Sequence, residues 1–289
     1  MKHSNILLIS AMAALVLAAC GKLTGPGPAI TIQAGIGTMT KVATTGDKVA
    51  FEAGDKISVY AWLGSATEVP ATRVVDGVVN TLGSDGKWTP ASQMLWDDKT
   101  SKHYFLGVSP VRSVTSFSAD TYTLDPADYV ASDLLIATNT GGITPSATPV
   151  KLAFDHAMAR LDVNLSFRNQ WTTAPTVTSV TASAKKTATV DYLAKKVTAT
   201  GDAAAVALKA KDNVVWSGLQ VPQEGVRSLT ITIDGTDFVF THTADITLVG
   251  GKYTTVNLTV GRDRIELASD ITIADWTAGS TLNGEAQDE

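Results

Sequence analysis

The sequence predicts an all-β protein, and three observations carry that expectation. Threonine and valine crowd the middle of the chain, and both are stiff at χ1 and suit a pleated surface. Beyond the first 20 residues no long stretch repeats its apolar residues at helical spacing. Short alternating runs recur instead, separated by turn formers such as Ser84-Asp85-Gly86, Asp234-Gly235 and Gly250-Gly251.

A chain of 289 residues is long enough for one or two domains, since single cores stop growing at roughly 250–300 residues. Charged residues make up 18% and the net charge is −5. The densest basic steps are Lys185-Lys186 and Lys195-Lys196. Neither forms the clustered basic surface that phosphate binding needs, which argues against a nucleic-acid partner.

Lys2 and His3 begin the chain, and Ile6 to Ala19 run almost wholly apolar. That run has the length of a signal-peptide core and is too short for a membrane span of roughly 20 residues. It ends in Leu17-Ala18-Ala19-Cys20, which resembles the lipobox of bacterial lipoproteins. The resemblance implies cleavage before Cys20 and lipid on its sulfur, because a thiol is the nucleophilic side chain that accepts the acyl group. Cys20 is also the only cysteine, and lipidation accounts for an unpaired thiol in an exported protein. Several acyl chains hold a protein firmly on a bilayer, whereas one binds marginally. Gly21 is not the aspartate that resembles an inner-membrane retention signal, so the outer membrane is the expected destination.

Residues 21–28 read as a tether, with three glycines and two prolines. A first strand is expected at Ala29–Gln33, with Ile30 and Ile32 on one face. Phe51-Glu52-Ala53-Gly54-Asp55-Lys56-Ile57 is a turn feeding a strand in which Ile57, Val59 and Ala61 alternate. Further strands are expected at 72–75, 103–109, 121–124 and 134–137. The Gly/Thr/Pro-rich stretch 138–149 marks a boundary, giving 1–20 as signal peptide, 21–150 as one β-domain and 151–289 as a second. The second half reads as strands at 150–154, 159–167, 176–184, 188–193, 204–208, 213–219, 227–233, 236–241 and 252–260. Asp234-Gly235 between Leu229–Ile233 and Phe238–Phe240 is the clearest hairpin signal.

The end of the chain is the most informative. Ile265, Leu267, Ser269, Ile271 and Ile273 fall on one face, with Glu266, Ala268, Asp270, Thr272 and Ala274 on the other, before Trp276. A terminal segment is normally polar and frayed. This one is patterned to pair with something.

Catalysis finds no support. His3, His103, His156 and His242 lie far apart, without the i+2 or i+4 partners of a metal site. His156 reads as a structural residue at a strand entry. Asp97-Asp98 reads as a turn, since adjacent strand residues point to opposite faces. Gly35-Ile36-Gly37 lacks the further glycine and the helix of a phosphate cradle. No nucleophile elbow occurs, no cofactor or metal is implied, and the sequons at Asn164 and Asn257 sit in expected strands.

Taken in order along the chain, several segments resemble the fimbrillin family, the type V pilins of Gram-negative anaerobes. They are the lipobox at Cys20, the Phe51–Ile57 step, His103–Pro110, Leu134–Ala137, Leu152–Leu161, Gly251-Lys252-Tyr253 and the closing Ile271–Trp276. The resemblance implies two transthyretin-like β-sandwich domains in tandem and a non-enzymatic subunit of an adhesive surface fimbria. It implies a lipid-anchored precursor on the cell outer membrane, whose partners are other pilin subunits and a host or bacterial surface ligand. It further implies that proteolysis removes the N-terminal strand, here Ala29–Gln33 with Ile30 and Ile32. The emptied groove would then take a neighbour's C-terminal strand, here Ile265–Trp276 with Ile265, Leu267, Ile271, Ile273 and Trp276. Such β-strand addition is heterologous and propagates a filament.

Family cleavage is often arginine-directed, and this chain has no arginine before Arg73. Lys41 and Lys48 are the basic residues available to a trypsin-like protease. An unprocessed, membrane-held anchor is equally compatible with the lipobox. A different class of reading keeps the double sandwich as a non-polymerising surface lipoprotein that binds a glycan or host ligand. It requires an exposed aromatic platform drawn from Trp62, Trp88, Trp96, Trp171, Trp216 and Trp276, with the loop residue Trp171 as the leading candidate.

Overall fold

The computed structural model describes residues 27–37, 50–171, 173 and 175–276. Cys20, Lys41 and Lys48 lie outside the described residues. The fold is all-β, as expected: one short helix, α1 (Tyr129–Ser132), accompanies twenty strands among the described residues. No described helix is long and apolar enough to cross a membrane.

A seven-stranded sheet dominates the first half. Its order is β1 (Ile32–Ile36), β8 (Val150–His156), β7 (Leu135–Ile143), β5 (His103–Ser109), β2 (Lys56–Leu63), β3 (Val75–Leu82) and β4 (Trp88–Pro90). Alternation along these strands sends apolar side chains to both faces. One face gathers Ile57, Val59, Ala61, Phe105, Leu135, Val150, Leu152 and Phe154 with Trp88, Met94 and Trp96. The other face, with Tyr60, Trp62, Leu106, Val108 and Ile136, belongs to a larger core that runs on into the second half.

The second half holds a four-stranded and a six-stranded sheet. The first is β13 (Ala204–Ala207), β10 (Val177–Ala184), β16 (Gln223–Ile233) and β17 (Thr236–Leu248). Asp234 and Gly235 turn β16 into β17 with φ of 49° and 80°, the left-handed pair that a two-residue hairpin demands. The second is β14 (Lys209–Ala210), β15 (Val215–Gln220), β9 (Ala159–Phe167), β18 (Lys252–Val260) and β19 (Ile265–Leu267), with β20 (Thr272–Asp275) also on β18.

A small third sheet stitches the halves together. β6 (Asp120–Thr123) pairs antiparallel with β11 (Thr187–Asp191), and β12 (Lys196–Thr200) completes it. Asp120 is buried there and accepts hydrogen bonds from Tyr192 Oη (2.8 Å), Thr115 Oγ1 (2.6 Å) and Arg112 Nη2 (3.3 Å). Burial pushes the Tyr192 phenol up and the Tyr122 phenol up to about 12.

Three expectations need correcting. The first strand runs over Ile32–Ile36 and not Ala29–Gln33, although Ala29 makes an isolated bridge to Leu95. The strand expected at 72–75 begins only at Val75 and continues to Leu82. The stretch 138–149 is not simply a linker, because β7 continues through it to Ile143. Strand β8 starts at Val150 and pairs with β1 and β7, so the first sheet uses residues on both sides of position 150.

Candidate functional site

Two terminal segments stand out as edge elements with unusual apolar content. The first, residues 27–36, works as a strap. Ile30 donates its N–H to Met94 O (2.9 Å), and Gly27 donates to Trp96 O (2.8 Å). Residues 94–96 follow β4, at one end of the strand order. From there the chain passes to the other end and pairs parallel with β8, Ile32 opposite Val150 and Ile36 opposite Phe154. Val150 N–H donates to Thr31 O at 2.8 Å, and Gly37 N–H to Phe154 O at 2.7 Å. The strap therefore covers the core between the sheet's two ends.

Its grip is side-chain burial added to main-chain bonds. Ile30 is 2% exposed and Ile32 6%, while Ala34 and Ile36 pack half-buried against the same core. Full burial of two isoleucines is worth about 3–6 kcal/mol. Gly27 is the point of closest approach: a Cβ there would lie 2.5 Å from Trp96 Cβ and 2.7 Å from Asp98 O. The sequence placed Ile30 and Ile32 on one face, and both are buried. The contact with 94–96 was not legible, because nothing local in Met94-Leu95-Trp96 signals a partner 65 residues upstream.

The second segment is the C-terminal ribbon, and here the structure adds something the alternation did not show. Both parts of it pair antiparallel with β18 of the same chain: Leu267 opposite Leu258, and Ile273 opposite Thr254. Between them the pairing slips by two residues. Ala268 N–H donates to Asn257 O (2.9 Å), and Asn257 Nδ2 donates to Ser269 Oγ (2.9 Å). The slip of two residues keeps all five apolar-face residues on the same side of the sheet, but they are not equally buried. Ile265, Leu267 and Ile271 are half-buried against the core, Ser269 is exposed, and Ile273 is 45% exposed.

Trp276 anchors the ribbon's end. Its indole stacks on His156 with centroids 4.2 Å apart and planes 4° from parallel, and the main-chain N–H of Trp276 donates to Gly251 O at 2.9 Å. His156, at the end of β8, places Nδ1 2.8 Å from Asp133 Oδ1. All three side chains are buried. His156 is thus structural, as expected, and it links the first sheet to the last residues described.

The remaining sequence candidates are occupied in ordinary ways. Asn164 and Asn257 face each other on the parallel strands β9 and β18, joined by a 2.8 Å side-chain bond. Asp98 caps its own turn through Thr100 and Ser101. His103 is buried, with Nδ1 3.0 Å from Ser101 O and Nε2 accepting from Asp97 N–H at 3.1 Å. Burial holds its pKa below the usual imidazole range. No group of three or more His, Cys, Asp or Glu side chains converges among the described residues. Five tryptophans are buried. Trp171 is half-buried with the Arg262 guanidinium over its ring at 4.9 Å, so an open aromatic platform is missing among them.

The sequence over residues 40–276 matches the model of the fimbrillin-like family. The chain belongs to that family. The match opens beyond β1, leaving the strap outside it. No curated protein matches the chain. Among solved structures, a candidate cell adhesion protein from Bacteroides ovatus ATCC 8483 is 14% identical with a TM-score of 0.67, covering 88% of this chain and 99% of that one. A second candidate cell adhesion protein, from Bacteroides uniformis ATCC 8492, is 19% identical with a TM-score of 0.64, covering 86% and 98%. A fimbrial protein from Bacteroides vulgatus ATCC 8482 is 12% identical with a TM-score of 0.53, covering 86% and 99%. At these identities the likeness is one of fold. Membership of the fimbrillin-like family supports a fimbria-related role at the cell surface.

Proposed function

We propose that this fimbrillin-like chain is a non-catalytic structural subunit of an adhesive surface fimbria, exported as a lipoprotein on Cys20 and assembled by strand exchange. The observation that carries the reading is the pairing of a plug with a spare ribbon. The strap 27–36 seals an apolar core at a sheet edge with Ile30 and Ile32 buried. The ribbon 265–276 carries the same kind of residues on an edge of its own chain, with Ile273 only partly covered.

Cutting the chain at Lys41 or Lys48 separates the strap from β2, after which main-chain bonds, two buried isoleucines and the half-buried Ala34 and Ile36 retain it. Its departure uncovers the β8 edge beside Leu152 and Phe154, and a ribbon from a neighbour restores both the hydrogen bonds and the burial. Donor and acceptor are different surfaces, so the assembly stays open and grows. The subunit is read as two sandwich units in tandem, with β8 counted in the first. Its partners are other pilin subunits, the outer membrane through lipid, and a surface ligand.

The test is deletion of residues 265–289 in cells that make the protein. The expected outcome is loss of the polymer ladder on unheated gels, with the monomer still exported. Ladders that survive the deletion contradict the reading.

A further inference from the structure

The strap and the ribbon share more than apolar alternation. Facing the core, the strap presents Ile30, Ile32, Ala34 and Ile36: two large side chains, a small one, then a large one. The alternating face of the ribbon presents Ile265, Leu267, Ser269 and Ile271, again two large, a small and a large, followed by Ile273. Each set has its one small residue at the third place.

On its own chain the ribbon does not exploit that pattern. The two-residue slip between β19 and β20 interrupts the ladder, Ser269 lies exposed and Ile273 is 45% exposed. Beside β8 the ladder is unslipped over Ile32–Ile36, so a segment of strict period two keeps all its large residues on the buried face there. At the third place the strap carries a half-buried alanine opposite Leu152, itself fully buried, so a larger side chain there meets packed core on one side.

Resting on the strand-exchange reading above, we propose that the ribbon of a second copy of this chain enters the vacated strap site in one register. Ser269 takes the place of Ala34 opposite Leu152, with Ile265, Leu267 and Ile271 at the sites of Ile30, Ile32 and Ile36. Ser269 is then the residue that sets the register.

Because the ribbon's sizes are symmetric about Ser269, direction comes from elsewhere. Gly27 occupies a place where even a Cβ would lie 2.5 Å from Trp96 Cβ. A reversed ribbon centred on Ser269 would carry Trp276 to that place. A ribbon running with the strap's own polarity carries Arg262 there instead. The direction is therefore taken from the strap itself, which runs parallel to β8; a reversed ribbon would set Asp270 opposite Lys151. The incoming strand runs parallel to β8. Lys151, whose partner in the strap is Gln33, then faces Ala268 of the neighbour on the outer side of the sheet.

Cysteine pairs in the full chain, produced by the organism that assembles it, test this register. Lys151→Cys with Ala268→Cys is expected to give disulfide-linked ladders that collapse on reduction, with the 151–268 peptide pair found by mass spectrometry. Lys151→Cys with Glu266→Cys or with Asp270→Cys is expected to give none. Ladders that form but cross-link only through a shifted pair overturn the register while leaving strand exchange standing. Wild-type ladders indifferent to deletion of 265–276 overturn strand exchange and the register together.

A second variant does not depend on disulfide geometry. Ser269 is exposed on its own chain, where its hydroxyl accepts one exposed bond from Asn257. Ser269→Ile should therefore move the monomer's unfolding midpoint little, and no further than Ser269→Ala does. In the groove it meets packed core beside Leu152 and should cut ladder formation by about tenfold or more. Ser269→Ala should polymerise as wild type. Normal ladders from Ser269→Ile overturn the proposal.

Discussion

The indole of Trp276 lies flat on the imidazole of His156, 4.2 Å between centroids and 4° between planes. His156 closes β8 of the first sheet, whereas Trp276 follows the last strand of the ribbon. One stacked pair thus pins the C-terminal ribbon to the half of the molecule that carries the strap. Trp276→Ala removes that pin and leaves His156 and Asp133 with an open side. The expected result is a loss of about 3 kcal/mol, together with faster hydrogen exchange over 265–276. Denaturant unfolding and exchange mass spectrometry check the two parts separately.

The strap and the ribbon should respond unequally to truncation. Ile30 is buried in the core, so Ile30→Ala is expected to cost about 2–4 kcal/mol. Ile273 is 45% exposed at the sheet edge, so Ile273→Ala should cost no more than about 1 kcal/mol. Comparing the two by urea denaturation settles whether the ribbon is an under-used element on its own chain. Equal losses would contradict that view.

Legibility in the sequence followed locality. β5, β9 and β18 lie where alternating valines, leucines and aromatics place them. Strand β12 (Lys196–Thr200) was missed because it lies at a sheet edge and buries no side chain completely, so its signal is weak. Strand β4 was missed because three residues ending in Pro90 carry no period. β7 runs past its expected end because Gly141 and Gly142 lie in an irregularity of the ladder, Gly142 at φ 68°, after which pairing with β5 resumes at Ile143. The Trp276–His156 contact joins residues far apart in the chain, and neither residue's neighbours in sequence announce the other. The shared face of Ile30 and Ile32 is legible from alternation alone, and both are buried. The ribbon's docking on β18 was not, since alternation says that a face is apolar and says nothing about which edge receives it.

The junction between the halves rests on a buried carboxylate. Asp120 accepts from Tyr192, Thr115 and Arg112, and it lies on the strand that pairs with β11. Asp120→Ala removes the acceptor of the Tyr192 and Thr115 hydroxyls and the carboxylate partner of Arg112, which keeps its bond to Thr121 O (3.0 Å). A loss of about 3–5 kcal/mol is expected, with the β11–β12 hairpin opening first in hydrogen exchange. A change below about 1 kcal/mol would show that the junction is held by its apolar contacts alone.

Acid should weaken the fold through His103. Burial lowers its folded-state pKa below the unfolded value of about 6.5. The unfolded chain therefore takes up a proton that the folded chain resists. Stability from this group is complete above about pH 6.5 and falls as the pH drops below it towards the folded pKa. His103→Asn, which keeps a polar group without the titration, should flatten thermal stability between about pH 6.5 and 5 relative to wild type. An unchanged slope would assign the acid sensitivity to other groups.

Strand exchange requires that the assembled subunit has lost its own strap. The direct measurement is the N-terminal sequence of the protein in polymers stripped from the cell surface. A start at residue 42 or 49, just after Lys41 or Lys48, is the predicted result. Polymers whose subunits all begin at an acylated Cys20 and retain Ile30 and Ile32 would contradict it.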